Sequence, residues 1–191
     1  MRIRQILLLG GLIGVNAGML MAASESRLET VQHVDLNRYA GRWYEIARYP
    51  NKFETKCARD VTAEYAPKEN GDIRVVNSCT AQDGRAVRSV GTAKVADTST
   101  NAKLKVAFFW PFYGKYWVLD VGDKYDYAVV GEPGRDYLWI LSRTPAMPDA
   151  VYEKILNRLP ARGYDPEKLV RTHQSGASKT LTAGAGTSVG K

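Results

Sequence analysis

Histidine and cysteine are almost absent from this 191-residue chain, which holds two of each: His33, His173, Cys57 and Cys79. No two of them stand at metal-ligand spacing, so a zinc-type centre is not expected. No glycine-rich loop follows a strand and opens a helix, which removes the usual phosphate cradle. Ser142 sits in no strand–turn–helix elbow of the kind that exposes a nucleophilic serine. The apolar stretch from Ile6 to Val15 is too short to span a bilayer.

That stretch has a different reading. Arg2 and Arg4 form a basic head before it, and Ala22-Ala23-Ser24 is a small-residue exit after it. The pattern predicts a secretory signal over 1–24, a folded domain over 25–174 and export to the periplasm or the medium. Residues 175–191 are Ser, Gly, Ala and Thr with few apolar anchors, so burial cannot offset their ordering entropy. A disordered tail is expected there. The formal charge of +7 becomes +5 once Arg2 and Arg4 are removed. The remaining Lys and Arg are scattered along the sequence, which predicts a solvated exterior rather than a nucleic-acid face. Mild attraction to anionic headgroups or carboxylate ligands is what this charge licenses.

Between these ends the chain divides into short β-rich runs separated by turn residues, the pattern of a sandwich or barrel. The strands are expected at 42–49, 58–66, 72–80, 86–97, 102–109, 115–121, 126–131 and 136–142. Asn70-Gly71 is the sharpest hairpin signal among the turns. If neighbouring strands run up and down, Trp43 and Arg143 meet at one end, beside the turn at 123–125. The loops 50–57, 81–85, 110–114 and 132–135 meet at the other. Alternation places Leu104, Val106 and Phe108 inward, opposite the exposed Lys103 and Lys105. It also turns Val61, Ala63 and Tyr65 inward, with Val75 and Asn77 on the next strand. An inward Asn77 is a polar group that needs a partner. The strand 115–121, which carries Tyr116, is apolar on both faces and its pattern sets neither face inward. An inward Trp43 carries Glu45 inward too, unless the strand bends. After Arg143, Val151, Ile155 and Leu159 recur at helical spacing and predict a helix over 149–162, with a short edge strand over 168–172.

Two constellations give this outline a family. Asp35-Leu36-Asn37-Arg38-Tyr39 precedes Gly41-Arg42-Trp43, and Leu138-Trp139-Ile140-Leu141-Ser142-Arg143 stands a hundred residues later. Tyr125-Asp126-Tyr127 lies between. Over residues 33–173 the chain resembles the lipocalins, in particular the bacterial group related to apolipoprotein D and the plant temperature-induced lipocalins. The resemblance implies an all-β fold: an eight-stranded antiparallel up-and-down barrel with a C-terminal helix packed outside. The Arg143 guanidinium would lie over the Trp43 indole and close one end. It implies a cavity, open at the other end, lined by Tyr65, Asn77, Val106, Phe108, Tyr116, Trp139 and Leu141. The implied ligand is a small hydrophobic molecule, a fatty acid or lysophospholipid, with a planar tetrapyrrole as the alternative and no cofactor. Bacterial members are often outer-membrane lipoproteins acylated on a cysteine just after the signal, and this chain departs from that pattern.

Cys57 and Cys79 fall on inward positions of adjacent strands near the open end, and a lone pair in an exported protein reads as one disulfide. The alternative is a catalytic Cys57, as in lipocalin-type prostaglandin D synthases. With His33 and His173 both expected at the closed end, no base is placed to activate it. Finally, seven aromatics fall within residues 108–117, around a turn at the open end. Exposed aromatic loops mark contacts, so the 109–114 loop is read as core packing, a ligand gate or a transient membrane contact.

Overall fold

The computed structural model describes residues 27–177. The expected signal and the tail beyond residue 177 lie outside the described residues. Alternation and turn chemistry produce eight consecutive antiparallel strands: β1 (Gly41–Arg48), β2 (Arg59–Pro67), β3 (Ile73–Thr80), β4 (Ala86–Val95), β5 (Lys103–Phe109), β6 (Phe112–Val121), β7 (Tyr127–Gly131) and β8 (Leu138–Ser142). Each pairs with the next, and β8 pairs back to β1, closing the predicted barrel. The largest boundary difference is at β6, which begins at Phe112 rather than 115. Phe109 pairs with Phe112, so the expected aromatic loop is a tight hairpin with only Trp110 and Pro111 at its tip.

Burial divides into two clusters. The inner one holds Trp43, Tyr65, Val75, Leu104, Val118 and Leu141. Tyr116 packs against it, while Trp117 and Leu119 belong to the outer cluster, which settles the faces of β6. The outer cluster lies between the barrel and α2 (Asp149–Leu156), whose Tyr152 and Ile155 meet Ile46, Val129 and Ile140. This helix stops short of the predicted 162. Pro160 has no N–H to offer the Leu156 carbonyl, and its ring crowds the preceding turn. A 3₁₀ turn at Pro160–Arg162 follows, ended by Gly163 at φ +77°.

The C-terminal segment then returns along β1. β9 (Val170–Arg171) pairs with Ala47 and Arg48, within the predicted 168–172. Just beyond it Gln174 donates from one side-chain amide to the carbonyls of Glu45 (2.9 Å) and Val61 (2.8 Å), bridging β1 and β2 where they part. Ser175 donates from its backbone N–H and its hydroxyl to the Asp60 carboxylate. The route also corrects the expectation for His173. Its carbonyl accepts from Asp60 at the start of β2, away from the closed end.

The closed end is built from the short helix α1 (Leu36–Tyr39), capped by the Asp35 carboxylate, together with β1 and the end of β8. Arg143 lies over the Trp43 ring at 3.8 Å. It donates to the carbonyls of Arg42 (2.9 Å), Tyr125 (3.2 Å) and Arg38. Trp43 donates from its indole to the Tyr39 carbonyl at 2.8 Å. Gly41, at φ +90°, turns the chain into β1 in a conformation that L side chains rarely adopt. A Cβ there would stand 3.5 Å from the guanidinium.

Replacing Arg143 with Ala removes the cation–π contact and leaves three carbonyls without their donor. It should cost about 2–4 kcal/mol, read as a lower urea midpoint at unchanged slope. An unchanged midpoint would show that this end is held by other contacts.

Candidate functional site

The interior of the barrel is shaped by one irregularity in β1. Glu45 pairs with Leu141 and Ala47 with Ile140, so one extra residue is accommodated between them. A bulge of this kind resets the alternation. Ile46 and Ala47 both join the outer cluster, while Glu45 and Arg48 both turn inward, Arg48 opposite Trp139. The conflict read from the sequence is resolved by both routes: Glu45 follows Trp43 inward, and the strand bends immediately after it.

A compact polar cluster results. Arg48 Nε stands 2.9 Å from Glu54 Oε2 and 3.7 Å from Glu45 Oε1. The Trp139 indole donates to Glu54 Oε1 at 2.9 Å, and Asn51 adds a second donor at 3.2 Å. The Thr172 hydroxyl donates to Glu45. Burial and the neighbouring Glu54 carboxylate push the Glu45 carboxyl well above the usual range, against the opposing pull of Thr172 and Arg48. Glu54 belongs to the mouth loop between β1 and β2, so this cluster ties that loop to the barrel wall.

At the opposite depth, near the closed end, three tyrosine hydroxyls meet. Tyr116 is 2.7 Å from Tyr39 and 2.9 Å from Tyr65, oxygen to oxygen. Burial raises the pKa of all three, that of Tyr65 to about 12, so they remain neutral donors. Three O–H groups supply three protons and the two contacts use two. One proton is left to donate elsewhere. A small cavity beside the trio is bounded by Ile73, Ala93, Leu104 and Val106.

Among the residues expected to line the cavity, Tyr65 and Leu141 are buried in the inner cluster, with Val106, Phe108, Tyr116 and Trp139 partly buried against it. Asn77 differs. It has the inward register of Val75, opposite Ala63 and Ser89, yet it is exposed and is no buried polar group in need of a partner. The reason lies in the wall beside it. β4 pairs with β5 only over Thr92–Val95, leaving β4 uncovered toward the mouth. Tyr39, Arg48 and Glu54 were not anticipated. The Asp35–Tyr39 motif carried a signal for the first, but the other two depend on the bulge and on a loop folding back. Cys57 and Cys79 are joined, with Cα atoms 5.6 Å apart, so Cys57 has no thiol with which to act as a nucleophile.

The profile of the lipocalin-like domain family matches residues 34–174. The chain is 40% identical over 159 residues to temperature-induced lipocalin-1 of Arabidopsis thaliana, covering 79% of this chain and 85% of that protein. It is 41% identical over 148 residues to the outer membrane lipoprotein Blc of Escherichia coli K12, with coverages of 77% and 83%. Apolipoprotein D of Macaca fascicularis matches at 35% over 175 residues, with coverages of 87% and 91%. Among solved structures, insecticyanin from the tobacco hornworm superposes with a TM-score of 0.62 at 24% identity, covering 76% of this chain and 83% of that one.

The raised Glu45 pKa fixes the sign of a pH effect. The folded state binds a proton there that the unfolded state has lost, so stability should fall as pH rises from about 4.3 through the raised folded value. Glu45→Gln should flatten that part of a pH–stability curve, and an unaltered curve would remove Glu45 as its source. Breaking the Cys57–Cys79 bridge, whose partners are 22 residues apart, should cost about 3 kcal/mol by chain entropy. In the parent, thiol labelling under denaturing, non-reducing conditions should give no adduct.

Proposed function

The chain belongs to the lipocalin-like domain family, and we propose that it is an exported, non-enzymatic carrier of a fatty acid or lysophospholipid held inside the barrel. The observation that carries this reading is the gradient of packing from floor to mouth. Val75 and Leu141 are closely buried, whereas Phe108 and Trp139 are only partly covered and Asn77 is open. An interior filled by its own side chains would bury all of them.

The affinity would come from an acyl chain against Val106, Phe108 and Leu141, at about 0.8 kcal/mol per methylene. A dozen methylenes contribute about 10 kcal/mol, so reaching the roughly 8 kcal/mol of a micromolar complex also takes the polar contacts of the headgroup to offset the association cost. Polar selectivity would come from Tyr65 and Tyr116, whose spare hydroxyl proton suits a ligand oxygen, and from Asn77 nearer the mouth, while Trp139, its indole N–H held by Glu54, would offer the ligand its ring face. The Cys57–Cys79 bridge supports an oxidising location, the periplasm or the medium. The relative Blc is named an outer membrane lipoprotein. The aromatic hairpin at the mouth is the proposed point of transient membrane contact.

Lysophospholipid or long-chain fatty acid should shift intrinsic tryptophan fluorescence saturably at micromolar or tighter affinity. Trp139→Phe should remove most of that signal, and Tyr65→Ala should weaken binding. If neither lipid shifts the parent while haem or a bilin does, the acyl-carrier reading fails in favour of a planar-ring ligand.

A further inference from the structure

The hairpin between β5 and β6 exposes four large aromatics at once: Phe109 by 80%, Trp110 by 83%, Phe112 by 77% and Tyr113 by 41%. They form a convex tip on the rim of the mouth. Across the mouth, Phe53 on the loop between β1 and β2 is 72% exposed and packs against Tyr137. A convex apolar tip suits a deformable medium better than a shaped protein pocket, since it offers no concavity for a partner to fill.

Lower on the same hairpin, register gathers charges that are scattered in the sequence. Lys94 pairs with Lys105, and Lys105 with Lys115, placing three lysines directly opposite one another on β4, β5 and β6. Their neighbours Ala93, Leu104 and Tyr116 face the inner cluster, so the lysines face outward, and all three are exposed. None of the three has a carboxylate within ion-pair distance among the described residues. Like charges directly opposite on a sheet destabilise it. An anion on this face would turn that repulsion into attraction.

Spacing relates the two features. Lys105 lies four residues below Phe109, about 13 Å along the strand and less along the barrel axis once strands tilt. Apolar side chains at a membrane surface sit about 5–10 Å into the headgroup and acyl boundary. With the tip at that depth, the lysine ammonium groups reach the phosphate level. Directly above the row, β4–β5 pairing ends at Thr92 and Ala107, so the barrel wall parts beside the tip.

We infer that the outer face of β4–β6 is a docking surface for anionic lipid, on which Lys94, Lys105 and Lys115 hold phosphate headgroups while the aromatic tip enters the bilayer and the gap between β4 and β5 faces the lipid. This rests on the carrier reading only for its use; the docking itself is independent of the calyx. The full chain is tested on vesicles of phosphatidylcholine alone and of phosphatidylcholine with phosphatidylglycerol. Binding should favour the anionic vesicles and weaken with salt. Each Lys→Glu change should weaken it at least about five-fold, since a basic residue near an anionic surface contributes about that factor. Trp110→Ser should weaken binding to both compositions, while ligand titration without vesicles stays at the parent value in the lysine variants. Equal binding to both vesicles, or lysine variants that bind like the parent, would overturn the headgroup role. Binding to soluble polyglutamate as tight as to vesicles would also overturn it, by marking a general polyanion site. Failure of ligand titration with vesicle binding intact would sink the carrier reading alone.

Discussion

A guanidinium over an indole holds the barrel shut. Arg143 comes from the end of the last barrel strand and Trp43 from the first, and between them the side chain also reaches carbonyls of Arg38, Arg42 and Tyr125. Partial burial works against the cation and lowers the pKa of Arg143. The carbonyls and the ring face offset that cost, because a planar fork of donors satisfies several acceptors while its face rests on the π-system. With this end fixed, β8 and β1 are held in pairing distance and the opposite end is free to be built from loops. The hydroxyl trio sits just above the plug, so the same closure gives the interior its floor.

Depth in the interior corresponds to a change in chemistry. Near the floor, neutral hydroxyls stand among aliphatic side chains. Halfway up, the bulge in β1 introduces Glu45 and Arg48, and the mouth loop contributes Glu54. A long apolar molecule with one polar end therefore meets different partners in its two orientations. The disulfide holds the mouth loop to β3 while the Glu54 contacts hold it to β1 and β8, so the loop is anchored on both sides of the opening.

Much of this outline was legible in the sequence, and particular residues show where it was not. The strands followed from alternation punctuated by turns such as Asn70-Gly71, and the barrel ends followed from counting hairpins. The helix limit was readable too, since Pro160 stood inside the expected span. What local pattern does not encode is an extra residue. One bulge after Glu45 reverses the facing of every later position in β1, and Arg48 enters the interior only through it. Asn77 had the correct register, but its exposure depends on how far β4 and β5 stay paired. The lysine row is the clearest case. Lys94, Lys105 and Lys115 are eleven and ten residues apart in sequence, and only antiparallel pairing makes them neighbours.

The Gln174 bridge has a consequence for how the chain is made. Its amide joins β1 to β2 where they diverge, and β8 supplies the partner for the other edge of β1. Both contributions come from the last part of the domain to be synthesised. A chain that emerges in sequence order, from a ribosome or through a translocation pore, keeps β1 with an open edge until β8, which begins 90 residues after the end of β1, has followed. Such edges pair readily with other chains. The fold is therefore committed late, and the interval before residue 174 emerges is when the chain most needs shielding from its own kind.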